Sequence, residues 1–117
     1  MAGNNNVIQW NCRGARANYD DLVNILVPKY QPAVINLQET KLTPECEDDF
    51  KITGYTPYFK SNEDSQWGVA IFVKNDIIQS KIKLKTNLQA IAVRVTIRGK
   101  AYTFWNHYTP PSTDPHI

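Results

Sequence analysis

The sequence contains few of the features that mark membrane, disulfide-rich or repetitive proteins. Its two cysteines, Cys12 and Cys46, form neither a metal-binding spacing nor a disulfide framework. No apolar run approaches the ~20 residues that span a bilayer, and the asparagine-rich start is not a signal peptide. Internal repeats and low-complexity segments are also missing. We therefore expect an intracellular chain, in the nucleus or the cytoplasm, that has no membrane partner.

The sequence also carries little net charge. A formal charge of +2 is too small to indicate a nucleic-acid-binding protein by itself. Residues 1–59 carry five basic and seven acidic side chains, whereas residues 60–117 carry eight basic and four acidic ones. Lys81, Lys83 and Lys85 alternate with apolar residues and would line one face of a strand. A solvated face or a guarded sheet edge is favoured here over a phosphate-binding track.

Apolar residues, which make up 42% of the sequence, favour a packed core. Residues 7–10 and 33–37 are short apolar runs, each predicted to form a buried strand. Between them lies an amphipathic stripe typical of a helix, which Asn18 or Asp20 can cap and which Pro28 ends or kinks. This order predicts a βαβ unit. After residue 50 the pattern is antiparallel β and includes a hairpin that turns at residues 98–100.

Polar side chains end three of the apolar runs, namely Asn11, Glu39 and the group from Asn106 to Tyr108. Ligands of α/β proteins bind outside the carboxyl ends of strands, so these positions suggest chemistry. Glu39 is a candidate ligand of Mg²⁺, which takes one or two carboxylates together with waters and phosphate oxygens. Asn11 could orient Glu39 or a water, and the Tyr108 phenol could donate to a phosphate oxygen. Each residue also has a plain structural reading, and their spacing does not identify a reaction.

Five short strings strengthen the functional reading because they occur together and in a fixed order: WNCRG, LQETKL, ITGY, GVAIFVKND and YTPPSTD. They resemble the endonuclease/exonuclease/phosphatase superfamily, in particular the apurinic-type endonuclease domain of non-LTR (LINE, jockey-like) retrotransposons. The resemblance covers nearly the whole chain. It implies an α/β fold, a layered DNase I-like sandwich. Residues 1–117 would form the N-terminal part of a single domain, an incomplete portion of that sandwich.

The resemblance further implies a metal-dependent phosphodiesterase that uses Mg²⁺ or Mn²⁺ and acts on DNA. Asn11 and Glu39 match the family's metal-site residues, and Tyr108 matches the tyrosine that contacts the scissile phosphate. Asn11, Glu39 and Tyr108 are therefore the predicted catalytic residues, and Tyr108 and Asn106 the predicted substrate-binding residues. In the full protein, the resemblance implies a downstream reverse transcriptase domain.

The family's later motifs have no counterpart in this sequence. These are the aspartate and asparagine of "GDFN", the aspartate that orients the catalytic histidine, and the aspartate–histidine pair of "SDH". His107 and His116 stand in other contexts, and Arg13 and His107 depart from the family pattern. We expect the complete domain to nick DNA for retrotransposition and these residues alone to be inactive. Two alternatives stay open: a non-catalytic nucleic-acid-binding or structural remnant, and a phosphatase of small substrates from the same superfamily.

Overall fold

The computed structural model describes residues 6–61, 67–85 and 89–108. Its strands are β1 (Val7–Asn11), β2 (Val34–Gln38), β3 (Tyr55–Lys60), β4 (Val69–Lys74), β5 (Ile78–Ile82), β6 (Gln89–Ile97) and β7 (Lys100–Tyr108). A helical segment joins β1 to β2 and consists of α1 (Tyr19–Asp21), a π-helical turn (Leu22–Leu26) and α2 (Val27–Tyr30). A 3-10 helix (Pro44–Asp49) lies between β2 and β3. None of the described helices is long and apolar enough to cross a membrane.

The described strands form two sheets, with the orders β1-β2-β4-β3 and β5-β6-β7. β1 and β2 are parallel, which confirms the predicted βαβ unit. The remaining pairs are antiparallel, including the predicted β6–β7 hairpin. Its turn residues, Arg98 and Gly99, have φ angles of 52° and 76°, the left-handed pair that a tight two-residue hairpin requires. The result is the layered α/β sandwich that the sequence predicts.

The helical segment decides between the two outcomes predicted at Pro28 and departs from the cap predicted at Asn18. Pro28 does not end the helix, which continues to Tyr30 and stops where Gln31 adopts a φ of 44°. The π-helical turn directly before Pro28 is the local irregularity, because proline cannot donate the usual backbone hydrogen bond. Asn18 occupies the N-cap position, but its side chain does not cap the helix. It donates instead to the carbonyls of Cys12 (2.6 Å) and Gly14 (3.1 Å), and so holds the loop after β1.

Two apolar layers stabilise the sandwich. The first lies between the four-stranded sheet and the helices, and the second lies between the two sheets. β2 and β4 are buried on both faces, which explains their unbroken apolar sequences. β1 is an edge strand, and Val7 is 44% exposed. The prediction of a buried strand is therefore wrong for β1, because no described strand covers its outer edge.

A single buried amide links the two sheets at one end. Asn106 of β7 is 2% exposed, and its Nδ2 donates to the carbonyls of Leu37 (3.0 Å) and Ala70 (2.9 Å). Its Oδ1 accepts a hydrogen bond from the Gln38 Nε2 at 2.7 Å. Asn106 thus joins β7 to both central strands, β2 and β4. Because buried backbone carbonyls require partners, this residue stabilises the end of the sandwich where β2 stops.

We expect Asn106→Ala to lower the free energy of unfolding by about 2–4 kcal/mol, because three buried polar groups lose their partner. Urea denaturation measures this change. Thr103→Ala, at an exposed position on the same strand, is the matched control and should cost less than about 1 kcal/mol. Equal losses in the two variants would contradict the role assigned to Asn106.

Gly68→Ala should also be destabilising, by about 2 kcal/mol or more. Gly68 has a φ of 109°, and a Cβ there would overlap the Oγ1 of the buried Thr40. Gly99→Ala is the control, since Gly99 also has a positive φ of 76° but has nothing within 4 Å of the added Cβ. A thermal-unfolding comparison separates the overlap from the backbone strain. Similar losses for both variants would show that the contact with Thr40 contributes nothing.

Candidate active site at the carboxyl ends of β1 and β2

The structure brings Asn11 and Glu39 to the same edge of the four-stranded sheet. Asn11 ends β1 and lies beside Gln38, the last residue of the parallel strand β2. Glu39 follows Gln38 directly. Asn11 is exposed and Glu39 is half-buried, so that both side chains are accessible from solvent. The predicted placement of these two residues at adjacent strand ends is confirmed, while their catalytic and metal-binding roles stay predictions.

Unusual backbone conformations concentrate at this edge. Arg13, Glu39 and Lys41 have φ angles of 49°, 53° and 55°, in the left-handed region that non-glycine residues seldom adopt. Among the described residues, the other non-glycine positions with positive φ are Gln31 and Arg98, which end a helix and form a hairpin turn. Left-handed residues outside such turns cost free energy and cluster at functional sites. The conformation of Glu39 therefore points to a function for its carboxylate.

Backbone hydrogen bonds hold these strained residues in place. The loop after β1 donates to the segment after β2 through three amides: Cys12 to Gln38 (3.0 Å), Gly14 to Glu39 (2.7 Å) and Ala15 to Thr40 (2.8 Å). The segment after β2 donates in turn to the residues before β4, from Thr40 to Gly68 (3.1 Å) and from Lys41 to Trp67 (2.8 Å). Three chain segments are thus joined around Glu39, and its backbone has little freedom to relax.

Cys12 is a buried structural thiol within this loop. It is 3% exposed, and its Sγ–H lies 3.3 Å from the carbonyl of Gln38 and 3.6 Å from that of Glu39. Burial raises the pKa of the Cys12 thiol to about 11, and the charge of Glu39 acts in the same direction. A thiol with so high a pKa is neutral near pH 7 and is a poor nucleophile.

Asn106 was predicted to bind substrate, but the structure uses its amide to link the two sheets. Both Nδ2 hydrogens are engaged by backbone carbonyls, and Oδ1 accepts from Gln38. We infer that Asn106 positions Gln38, whose backbone pairs with Asn11 at the end of β1; a direct contact of Asn106 with substrate stays an untested prediction. Gln38 is not among the residues predicted from the sequence. The available signal was an amide directly before the candidate carboxylate, at the last position of a strand.

The backbone of Tyr108 ends β7 opposite Gln89, at the end of the sandwich that contains Glu39. The side chain of Tyr108 and the Pro110-Pro111 turn lie outside the described residues, so the predicted phosphate contact stays a prediction. The neighbouring His107 is exposed, and its Nδ1 accepts a hydrogen bond from the Trp105 Nε1 at 2.8 Å. Since neighbouring residues of a strand face opposite sides, His107 points away from the face that carries Asn106.

The site offers oxygen ligands to a cation, but few of them. The Glu39 carboxylate and the Asn11 amide oxygen are the hard donors that Mg²⁺ and Mn²⁺ prefer. Within the described ranges, no three His, Cys, Asp or Glu side chains form a group that could hold a metal ion. Glu39 and Asn11 could thus supply at most part of the ligand set of such an ion.

Comparison with known structures supports the fold. An AP endonuclease from Leishmania major matches with a TM-score of 0.68 and 17% identity over 87% of this chain and 39% of its own. The endonuclease domain of TRAS1, a telomere-specific non-LTR retrotransposon, matches with a TM-score of 0.68 and 20% identity over 94% and 48%. A 3′ phosphatase from Neisseria, bound to a product DNA hairpin, matches with a TM-score of 0.55 and 20% identity over 83% and 39%.

These similarities show a shared fold, and the chain spans less than half the length of each of the three structures. A search of curated proteins finds no match. A family model provides the assignment, because the model of the endonuclease/exonuclease/phosphatase family matches residues 8–116. That range includes Asn11, Glu39 and Tyr108. The chain therefore belongs to the endonuclease/exonuclease/phosphatase family.

Proposed function

We propose that this chain is the N-terminal portion of a divalent-metal-dependent phosphodiesterase domain that, when complete, nicks DNA. The observation that carries this proposal is the placement of Glu39. Glu39 directly follows β2, which is buried on both faces. The backbone of Glu39 has a left-handed φ, and its side chain is accessible to solvent. An isolated surface glutamate would not require a strained backbone held by three chain segments.

Glu39 and Asn11 would hold the metal ion in this proposal, and Mg²⁺ or Mn²⁺ fits their oxygen donors. When bound, such an ion supplies positive charge to the phosphate oxygens of the substrate. The chain's own residues have distinct tasks. Gln38, held by Asn106, supports the edge of the site beside Asn11. Tyr108 would donate a hydrogen bond to the scissile phosphate.

DNA is the proposed substrate because of what two structures with the same fold bind or belong to. The Neisseria neighbour is bound to a DNA hairpin, and the TRAS1 neighbour is the endonuclease domain of a retrotransposon. By analogy, and with the sequence strings described above, we place the chain in a retrotransposon protein with a downstream reverse transcriptase domain. Such a protein would act in the nucleus or the cytoplasm.

Glu39→Gln tests the proposed role of the carboxylate. In the longest expressed product that contains these residues, we expect Mg²⁺-dependent nicking of supercoiled plasmid to fall by about 10²-fold or more, since a charged group is lost at the reacting phosphate. Glu45→Gln, at an exposed position on the 3-10 helix, is the matched control and should nick at the parental rate. Full nicking by Glu39→Gln would refute the assignment. A product that binds DNA without nicking it would favour the non-catalytic alternative.

The 117 residues alone should show no Mg²⁺-dependent nicking, because the described part of the site provides a single carboxylate. Members of a cooperating site act together, so a partial set retains almost none of the rate. The measurement is the conversion of supercoiled to open-circular plasmid, with EDTA as the blank. Activity that Glu39→Ala abolishes would show that this chain, or a second copy of it, completes the site.

A further inference from the structure

A small cavity with a basic rim lies between the ends of β3 and β5. Its volume is about 150 Å³, and three lysines line it: Lys60 from the first sheet, and Lys81 and Lys83 from β5 and the residues after it. Apolar side chains, among them Phe59 and Ile91, complete the wall. All three lysines are exposed, and among the described residues no acidic side chain lines the cavity. We call this feature the lysine cavity.

The lysine cavity lies at the same end of the sandwich as Glu39. Across the first sheet, Asn11 pairs with Gln38, Gln38 with Val69, and Val69 with Lys60, so that these four residues form one row. Neighbouring strands are ~4.8 Å apart, which places the backbone of Lys60 about 10 Å from that of Gln38. One nucleotide of B-DNA advances ~3.4 Å along the helix axis. A duplex whose axis runs along this row covers that distance in about three base pairs, so one duplex can reach both the lysine cavity and the candidate site.

Edge protection does not explain the grouping of these lysines. β5 is an edge strand, and an exposed lysine such as Lys81 is a common guard against strand pairing. Lys60, however, belongs to the other sheet and lines the same cavity. An anion in the cavity would be attracted by lysines from both sheets, which protection of one strand edge does not require.

Hydrogen bonds hold together the two strands that carry the lysines, without any ligand. The Tyr58 hydroxyl of β3 donates to the Gln79 Oε1 of β5 at 2.8 Å. The Gln79 Nε2 donates in turn to the carbonyls of Lys74 and Ile77, at 2.9 Å each. These bonds join the two strands that carry the lysines. A phosphate group is small enough for the volume, and lysine ammonium groups bind phosphate as mobile point charges.

We propose that the lysine cavity binds a backbone phosphate of duplex DNA, on the same duplex as the phosphate that Glu39 addresses. This inference rests on the proposed function for the identity of the polyanion. This contact depends on the negative charge of the DNA backbone and not on the base sequence. It therefore positions the duplex across the end of the sandwich. Lys60, Lys81 and Lys83 are positioning residues and take no part in the chemistry.

The test is the salt dependence of DNA binding by the longest expressed product that contains these residues. Fluorescence anisotropy with a labelled 20-base-pair duplex, in EDTA, gives the binding constant at several KCl concentrations. In the variant Lys60→Gln/Lys81→Gln/Lys83→Gln, we expect the slope of log K against log salt to fall by about 1, because one phosphate contact is lost, and the affinity to fall roughly tenfold. The charge-preserving variant Lys60→Arg/Lys81→Arg/Lys83→Arg should retain the parental slope.

The matched control removes the same charge elsewhere. Lys29, Lys51 and Lys100 are exposed. Each lies before a strand or at its first residue, whereas the site lies where these strands end. Their triple glutamine variant should leave the slope at the parental value, because no phosphate contact is lost. Equal effects of the two triple variants, or an unchanged slope in the Lys60/Lys81/Lys83 variant, would overturn the inference, as would a parental product that does not bind the duplex.

Plasmid nicking distinguishes this inference from the proposed function. If the lysine cavity acts as proposed, its glutamine variant should raise the KM for plasmid and leave kcat unchanged. A product that nicks normally after loss of the three lysines retains the proposed function and refutes the inference. A product that never nicks, but whose DNA binding depends on these lysines, refutes the proposed function and supports the inference.

Discussion

The amide of Asn106 is the constraint on which the geometry of this end of the sandwich depends. Packing between two apolar sheet faces has no direction and leaves the sheets free to slide or rotate. Three hydrogen bonds from one buried side chain remove that freedom, because they fix β7 against both β2 and β4. The end of β7 is then held at the end of β2, which carries Glu39. The backbone of Tyr108, two residues beyond Asn106, lies at the same end.

A second link between the sheets acts at the opposite side. The bond from Tyr58 to Gln79 joins β3 to β5, as Asn106 joins β7 to the central strands. The two links lie on opposite sides of the interface between the sheets. They fix the relative positions of the strands that carry the candidate site and the lysine cavity. Polar links of this kind contribute specificity of packing where apolar contacts alone would permit several arrangements.

The parts of the fold that the sequence could predict are those determined locally. An unbroken apolar run identifies β2, and alternation with a tight turn identifies the β6–β7 hairpin, because burial acts on each residue separately. The burial of β1 depends on which strands flank it, and the sequence of β1 contains no record of its neighbours. For a related reason the sequence leaves two outcomes open at Pro28, since packing of the helix against the sheet determines whether a proline ends the helix or only distorts it.

The same distinction separates the predicted and the missed parts of the site. Asn11 and Glu39 are visible from the sequence because polar residues that end apolar strands meet at one sheet edge. The link between Asn106 and Gln38 joins residues 68 positions apart, and the lysine cavity joins two sheets. Neither of these two arrangements produces a local pattern in the sequence. An asparagine after an aromatic strand resembles a ligand contact, and only the packed structure shows that its hydrogen bonds are already used.

The arrangement separates two tasks that a phosphodiesterase must perform on a polyanion. A carboxylate that holds a metal ion also repels the phosphate that it must approach, and at ~10 Å this repulsion is only partly screened by physiological salt. In the proposed function, lysines placed two strands away would offset the repulsion without neutralising the carboxylate itself. Direct ion pairing with Glu39 would compete with the metal ion for the same oxygens. Lysines at the far edge of the same sheet end would instead attract the duplex and leave Glu39 free to bind the cation.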